Sequence, residues 1–180
     1  MAADWYRCQQ LLGTGSFSQV WKAAVRGEGP TDCPPLPRTI AIKLFRPLGG
    51  AKDAATLERM IECEITLHRR LLHPHVVRFF DSHATHRGTA IALECSNGGS
   101  LYSLVRKSRR LEEAATRPLF AQLASAVLYL HQRRIAHRDI KLENALFFDV
   151  DVVVLTVAGG GGATATATSV EPAKVRRWPR

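Results

Sequence analysis

Residues 136–144 read Ala-His-Arg-Asp-Ile-Lys-Leu-Glu-Asn, which sets Asp139 two residues before Lys141 and five before Asn144. Several polar groups at set offsets make a far more specific signal than any glycine motif alone. A long amphipathic helix leads into this stretch. Over residues 112–133, Leu119, Leu123, Ala126, Val127 and Leu130 recur at helical spacing and form an apolar face. Pro118 lies within a turn or two of the start, where it delays or kinks a helix rather than breaking it. Residues 101–106 predict a short helix opened by Gly98-Gly99, and residues 145–147 and 152–156 predict two strands beyond the loop.

Upstream, residues 6–12 predict a strand that runs into Gly-Thr-Gly-Ser-Phe-Ser-Gln-Val at 13–20, with a second strand over 20–26. Glycines between two strands let the main chain approach a phosphate closely, because no Cβ intervenes and the N–H groups can turn inward. Gly13 and Gly15 suit that use, although a plain hairpin turn carries the same signature. Val20 stands where an apolar side chain could cover a purine, and Phe17 stands at a loop tip that could fold over phosphates. Residues 27–37 are punctuated by Gly and Pro and read as an exposed connection between strands; their Pro-Pro-x-Pro serves as a spacer, with a polyproline ligand as the alternative. Residues 39–45 alternate in the manner of a strand and carry Lys43 between Ile42 and Leu44. A lysine there either faces solvent or is buried against a phosphate or carboxylate.

Residues 53–72 place Leu57, Ile61, Ile65 and Leu72 at helical spacing, with Glu58, Glu62 and Glu64 on the same helix. His73-Pro74-His75-Val76-Val77 predicts a turn leading into a strand over 76–80, and residues 89–93 predict another strand. His73 and His75 have no carboxylate or cysteine spaced to complete a metal site, so they read as turn histidines.

Together these segments resemble the eukaryotic-type serine/threonine protein kinase domain over about residues 6–156. The loop at 137–144 matches its His-Arg-Asp-x-x-x-x-Asn pattern. Gly13 to Val20 resembles its glycine loop with Ser18 in place of the third glycine, and Ala41-Ile42-Lys43 resembles its strand lysine motif. The fold this implies is α+β: an antiparallel-sheet small lobe with one main helix, plus the first part of a helical large lobe. The implied cofactors are ATP and Mg2+, and the implied partner is a protein substrate. Gly13, Gly15, Val20, Ala41 and Leu146 would line the nucleotide site, and the main chain of Glu94 to Ser96 would bond the adenine edge. Lys43 would hold the α- and β-phosphates and pair with Glu64, which stands nine residues before His73; Glu62 is the alternative partner. Asp139 would accept or orient the substrate hydroxyl, Lys141 would neutralise the transferring phosphoryl group, and Asn144 would hold magnesium through its amide oxygen. His137 would be structural. His68, four residues after Glu64, stands where the family usually has an apolar side chain.

The pattern stops at position 157. The family carries the Asp of Asp-Phe-Gly thirteen residues after Asn144, where this chain has Val157-Ala158-Gly159. Asp149 and Asp151 fall in the turn before the preceding strand, so neither substitutes. Residues 1–95 read as the small lobe, 96–156 as a partial large lobe, and 157–180 as a low-complexity and basic tail predicted to be disordered. The chain therefore reads as a family member truncated after the catalytic loop. The alternatives are a pseudokinase-like module binding nucleotide or protein, or an inactive fragment. Absence of the later helices predicts that the apolar face of the helix over 112–133 is left for a protein partner to cover.

Composition narrows the class. A hydrophobic content of 46% in 180 residues supports a real core. No secretory leader and no run of about 18 apolar residues is present, so the expected location is cytoplasmic, with the nucleus as alternative. Cys8, Cys33, Cys63 and Cys95 are scattered and predict reduced thiols. The net charge of +9 is spread along the chain without regular aromatic interleaving, which argues against a specific nucleic-acid platform.

Overall fold

The computed structural model describes residues 5–31, 33, 35–46, 51–148 and 152–156. Strands β1 (Tyr6–Thr14), β2 (Ser18–Val25), β3 (Thr39–Phe45), β4 (Phe79–Thr85) and β5 (Gly88–Glu94) form one antiparallel sheet in the order β1-β2-β3-β5-β4. Helix α1 (Ala51–His68) lies between β3 and β4 in the chain. Helices α2 (Leu101–Ser108) and α3 (Glu113–Gln132) follow, then a single 3-10 turn and the hairpin β6 (Ala145–Phe148) and β7 (Val152–Leu155). This is the α+β architecture that the kinase resemblance implied.

The period of two in β3 sends its side chains to two different cores. Ile40 and Ile42 join Ala23, Phe80, Ala90 and Ala92 on one face, whereas Phe45 joins Leu57 and Ile61 of α1 and Ile91 on the other. Burying each Ile or Leu contributes about 1.5–3 kcal/mol, so both faces stabilise the sheet. The first face is roofed by Trp5, Tyr6, Cys33 and Leu36. The connection over 27–37 is therefore only partly exposed: Leu36 packs on the sheet and the Cys33 thiol donates to the Phe80 carbonyl at 3.3 Å. That packing favours the spacer reading over a free polyproline ligand. Phe17 likewise packs, half-buried, against the Phe45 and Leu57 cluster instead of projecting from the loop tip.

Helix α1 ends at His68, four residues short of the expected Leu72. Hydrogen bonds from Arg70 N–H to the Leu67 carbonyl and from Leu71 N–H to the His68 carbonyl tighten the last turn. Leu71 swings into the core while Leu72 is exposed. The strand expected from Val76 starts at Phe79 instead. Val76 and Val77 serve a different purpose: Val76 forms an isolated parallel bridge with Leu155, and Val77 N–H bonds the Leu155 carbonyl at 3.0 Å. This splices the sheet half of the chain to the β6–β7 hairpin.

The apolar face of α3 is covered by the chain itself. Leu119 packs with Leu101, Ala145 and Phe147, while Ala126 and Leu130 pack with Leu71, Val76 and Leu155. The large apolar side chains left exposed on α3 are Phe120 and Leu128. The expectation of an uncovered inner face thus fails for a simple reason: α2, β6 and β7 already occupy it. No helix among the described residues is long and apolar enough to cross a membrane. Asp149, Asp151 and residues 157–180 lie outside the described residues.

Candidate active site

Lys43 sits in the middle of the central strand, opposite Val20 on β2 and Ile91 on β5. Strand alternation points it toward α1, the same side as Phe45, whose ring lies 4.8 Å from the ammonium. Its Nζ reaches Glu64 Oε1 at 2.6 Å, and the two side chains are 9% and 1% exposed. Glu62, two residues earlier on the helix, is exposed and points elsewhere. Two ions this deeply buried each answer the other's charge. Gly13 and Val20 are register partners in the β1–β2 hairpin beside Lys43, and the Gly15 N–H closes that hairpin on the Ser18 carbonyl at 2.8 Å. Ala41 is buried on β3, opposite Leu93 of β5.

The loop after α3 is held from both ends. His137, buried, donates from Nε2 to the Thr156 carbonyl, and its Nδ1 accepts from the Asp139 N–H at 3.2 Å. Those two bonds require a single neutral tautomer, with the proton on Nε2. Arg138 between them takes a φ of 64°, the left-handed region that non-glycine residues rarely adopt, and the bend aims Asp139 back along the loop. Asn144, at the end of the 3-10 turn Leu142–Asn144, donates from Nδ2 to both the Asp139 carbonyl at 2.8 Å and the Asp139 Oδ2 at 2.9 Å. Lys141 Nζ lies 2.9 Å from the same Oδ2. Partial burial pushes the Asp139 carboxyl up, but hydrogen bonds from Lys141 and Asn144, with the nearby positive charge, outweigh that and hold it below the usual carboxylate range. Asp139 is ionised at neutral pH. Donation from Nδ2 leaves the amide oxygen of Asn144 as the atom suited to a hard cation.

The segment after β5 is fastened to β6 by side chain as well as main chain. The Glu94 N–H bonds the Arg78 carbonyl at 2.9 Å, so that donor is already committed. The Ser96 hydroxyl donates to the Phe147 carbonyl at 2.7 Å, the Gly98 N–H bonds the same oxygen at 3.0 Å, and Phe147 N–H returns to the Gly99 carbonyl at 2.8 Å. Leu146 is fixed alongside by its bridge to Ser100. Sequence reasoning assigned Ser96 a main-chain contact and missed this clamp; a serine three residues before a Gly-Ser helix start was the only signal for it. A Cβ on Gly98 would lie 2.5 Å from the Phe147 Cβ and 3.0 Å from its carbonyl oxygen. Gly98→Ala is therefore expected to destabilise the fold by about 1–3 kcal/mol, the cost of overpacking a tight contact, measured by urea denaturation.

His68 lies one turn beyond Glu64 on α1. It is fully buried, donates from Nε2 to the Val77 carbonyl at 2.7 Å, and packs on Phe79 with ring centroids 5.8 Å apart. Its Nδ1 is buried with no hydrogen-bond partner.

Comparison with known proteins agrees with this geometry. The family model described as the protein kinase domain matches residues 6–163. NUAK family SNF1-like kinase 1 of Homo sapiens is 34% identical over 146 residues, 80% of this chain and 20% of the relative. Calcium/calmodulin-dependent protein kinase type 1 of Macrobrachium nipponense is 33% identical over 150 residues, 82% of this chain and 40% of the relative. CBL-interacting serine/threonine-protein kinase 16 of Arabidopsis thaliana is 36% identical over 143 residues, 79% and 29% respectively. The chain thus spans between a fifth and two fifths of the length of these relatives. With the family model matched along most of its length and the loop and ion-pair geometry in place, this chain belongs to the protein kinase family.

Proposed function

We propose that the chain carries the nucleotide-binding and catalytic-loop portion of a serine/threonine protein kinase, with residues 1–95 as the nucleotide lobe and 96–156 carrying the loop. The observation that carries this reading is the convergence of Lys141 Nζ and Asn144 Nδ2 on one Asp139 oxygen, each at 2.9 Å. The family generally uses ATP and magnesium. The described residues suit the nucleotide: Lys43, backed by Glu64, offers a buried cation to the α- and β-phosphates. Gly13, Gly15, Val20, Ala41 and Leu146 would flank it, and the main chain from Glu94 to Ser96, its Glu94 N–H already bonded to Arg78, would face the base. In transfer, a protein Ser or Thr oxygen bonds the γ-phosphorus while the bond to the ADP oxygen breaks. Asp139 takes the hydroxyl proton and Lys141 offsets charge on the phosphoryl oxygens. Lysine at position 141 follows the serine/threonine rather than the tyrosine pattern.

The donor set fits magnesium less well. Among the described residues, no group of three or more His, Cys, Asp or Glu could hold a metal ion, so the Asn144 amide oxygen has no such cluster to share a cation with. Val157 occupies the position from which the family supplies a carboxylate. That substitution favours a second reading, a module that binds nucleotide without transferring phosphate. One experiment separates the two. The full chain is incubated with γ-labelled ATP and a generic protein substrate, beside Asp139→Ala, while ATP-induced shifts in melting temperature are read with and without magnesium. Labelling that disappears in Asp139→Ala supports transfer. A melting shift without labelling supports the binding module. Neither labelling nor a shift overturns both.

A further inference from the structure

We infer that the pocket formed by the α1–β4 turn with Arg78 and Glu94 binds an acidic peptide segment carrying one bulky apolar side chain. The pocket has a volume of about 260 Å³, with Leu71, Leu72, Pro74 and Val76 as its apolar lining and Arg78 and Glu94 beside them. Sites for drug-sized ligands run to about 300–1,000 Å³, so this one is sized for a single large side chain. None of Lys43, Glu64, Asp139, Lys141 or Asn144 lines it. The inference does not depend on the kinase being active.

The lining is unusual for a surface turn. Leu71 and Val76 are 5% and 3% exposed, as core residues should be, yet Leu72 between them is 69% exposed. It is not loosely held, because its N–H bonds the Tyr129 hydroxyl at 2.7 Å. The turn is also docked on α3 through a Ser125 hydroxyl 3.4 Å from His73 and through the rings of His73 and Tyr129, 4.6 Å apart. A fixed, exposed leucine beside an apolar hollow is a ready anchor for a partner side chain.

Charge selects the partner. Residues 69–78 contain Arg69, Arg70 and Arg78 and no Asp or Glu, and residues 129–138 contain Arg133, Arg134 and Arg138 and likewise none. The Tyr129 contacts bring these two segments together. Arg133 is stationed there with its guanidinium 3.7 Å from the Tyr129 ring centroid. Glu94 sets one buried carboxylate against these six arginines, so the balance of the two segments stays positive. The result is an apolar hollow within a cationic surface, which complements carboxylates flanking an apolar residue. A nucleic acid is the poorer match, since Tyr129 is already covered by Arg133 and His73 and offers no stacking platform.

Fluorescence anisotropy on the full chain tests this, using a fluorescein-labelled glutamate-rich peptide with one central phenylalanine and a control with serine in its place. The phenylalanine peptide should bind about tenfold or more tightly than the control, a usual gain for one buried anchor. Leu72→Glu and Arg133→Glu should each cost a similar factor, and rising salt should weaken binding. Both residues are exposed, and melting curves identify any variant that unfolds; Leu72→Ser then replaces Leu72→Glu. Equal affinity for the two peptides, or indifference to the Leu72 change, would reveal diffuse electrostatics and overturn the proposal. So would absence of binding, or an oligouridylate that outcompetes the peptide regardless of Leu72.

Discussion

Replacing Lys43 with methionine is expected to cost about 3–5 kcal/mol of folding stability, because it leaves the Glu64 carboxylate buried without its cation. Glu64 is 1% exposed at its side chain, so solvent cannot take over from Lys43. The same substitution should abolish ATP-induced stabilisation, which for the unaltered chain amounts to about 2.7 kcal/mol at an ATP concentration a hundred times Kd. The two losses have different causes and separate in the double variant. Lys43→Met with Glu64→Leu removes both charges and keeps most of the volume, so urea denaturation should show much of the lost stability restored. ATP binding should stay absent, since the cation for the phosphates is still missing. Retained ATP stabilisation in either variant would remove Lys43 from the nucleotide site.

This pair was legible through the family resemblance, which marked Lys43 by Ala41-Ile42-Lys43 and Glu64 by its distance to the His73-Pro74 turn; the alternation of β3 alone left Lys43 open between solvent and burial. The loop from His137 to Asn144 was legible from its motif, since the bonds around Asp139 span at most five residues; the His137 bond to the Thr156 carbonyl, nineteen residues on, was not. What escaped was non-local. The end of α1 was misjudged at Leu72 because the helical pattern ran on, whereas the chain turns early to insert Leu71 between α3 and β7. The covering of α3 by β6 and β7, the bridge from Val76 to Leu155, and the folding of Cys33 and Leu36 onto the sheet all join residues tens of positions apart. Periodicity reports which face is apolar and is silent on what will cover it.

His68 illustrates the same limit, and its burial has a measurable consequence. From sequence it is a polar residue where the family has an apolar one. In the fold it is fully buried, and the Lys43 charge acts on it. Burial pushes the imidazole down to about 4 from 6.5; the Val77 carbonyl bond opposes the fall and the Lys43 charge adds to it. The unfolded chain therefore takes up a proton near pH 6.5 that the folded chain refuses until about pH 4. Across that window the unfolded state binds more protons, so stability must fall as pH falls, by about 1.4 kcal/mol per unit and about 3 kcal/mol in all. Above pH 6.5 both states hold a neutral ring and the contribution is fully present. Carboxylates also begin to titrate in the lower part of this range, so the useful quantity is the difference from His68→Leu. That variant loses the donor to Val77, at a cost of about 1–3 kcal/mol independent of pH, and sheds the acid-sensitive part. Urea denaturation from pH 7.5 to 4.5 should show the two curves converging as acid is added. Parallel curves would mean that His68 is protonated, or reached by water, inside the folded chain.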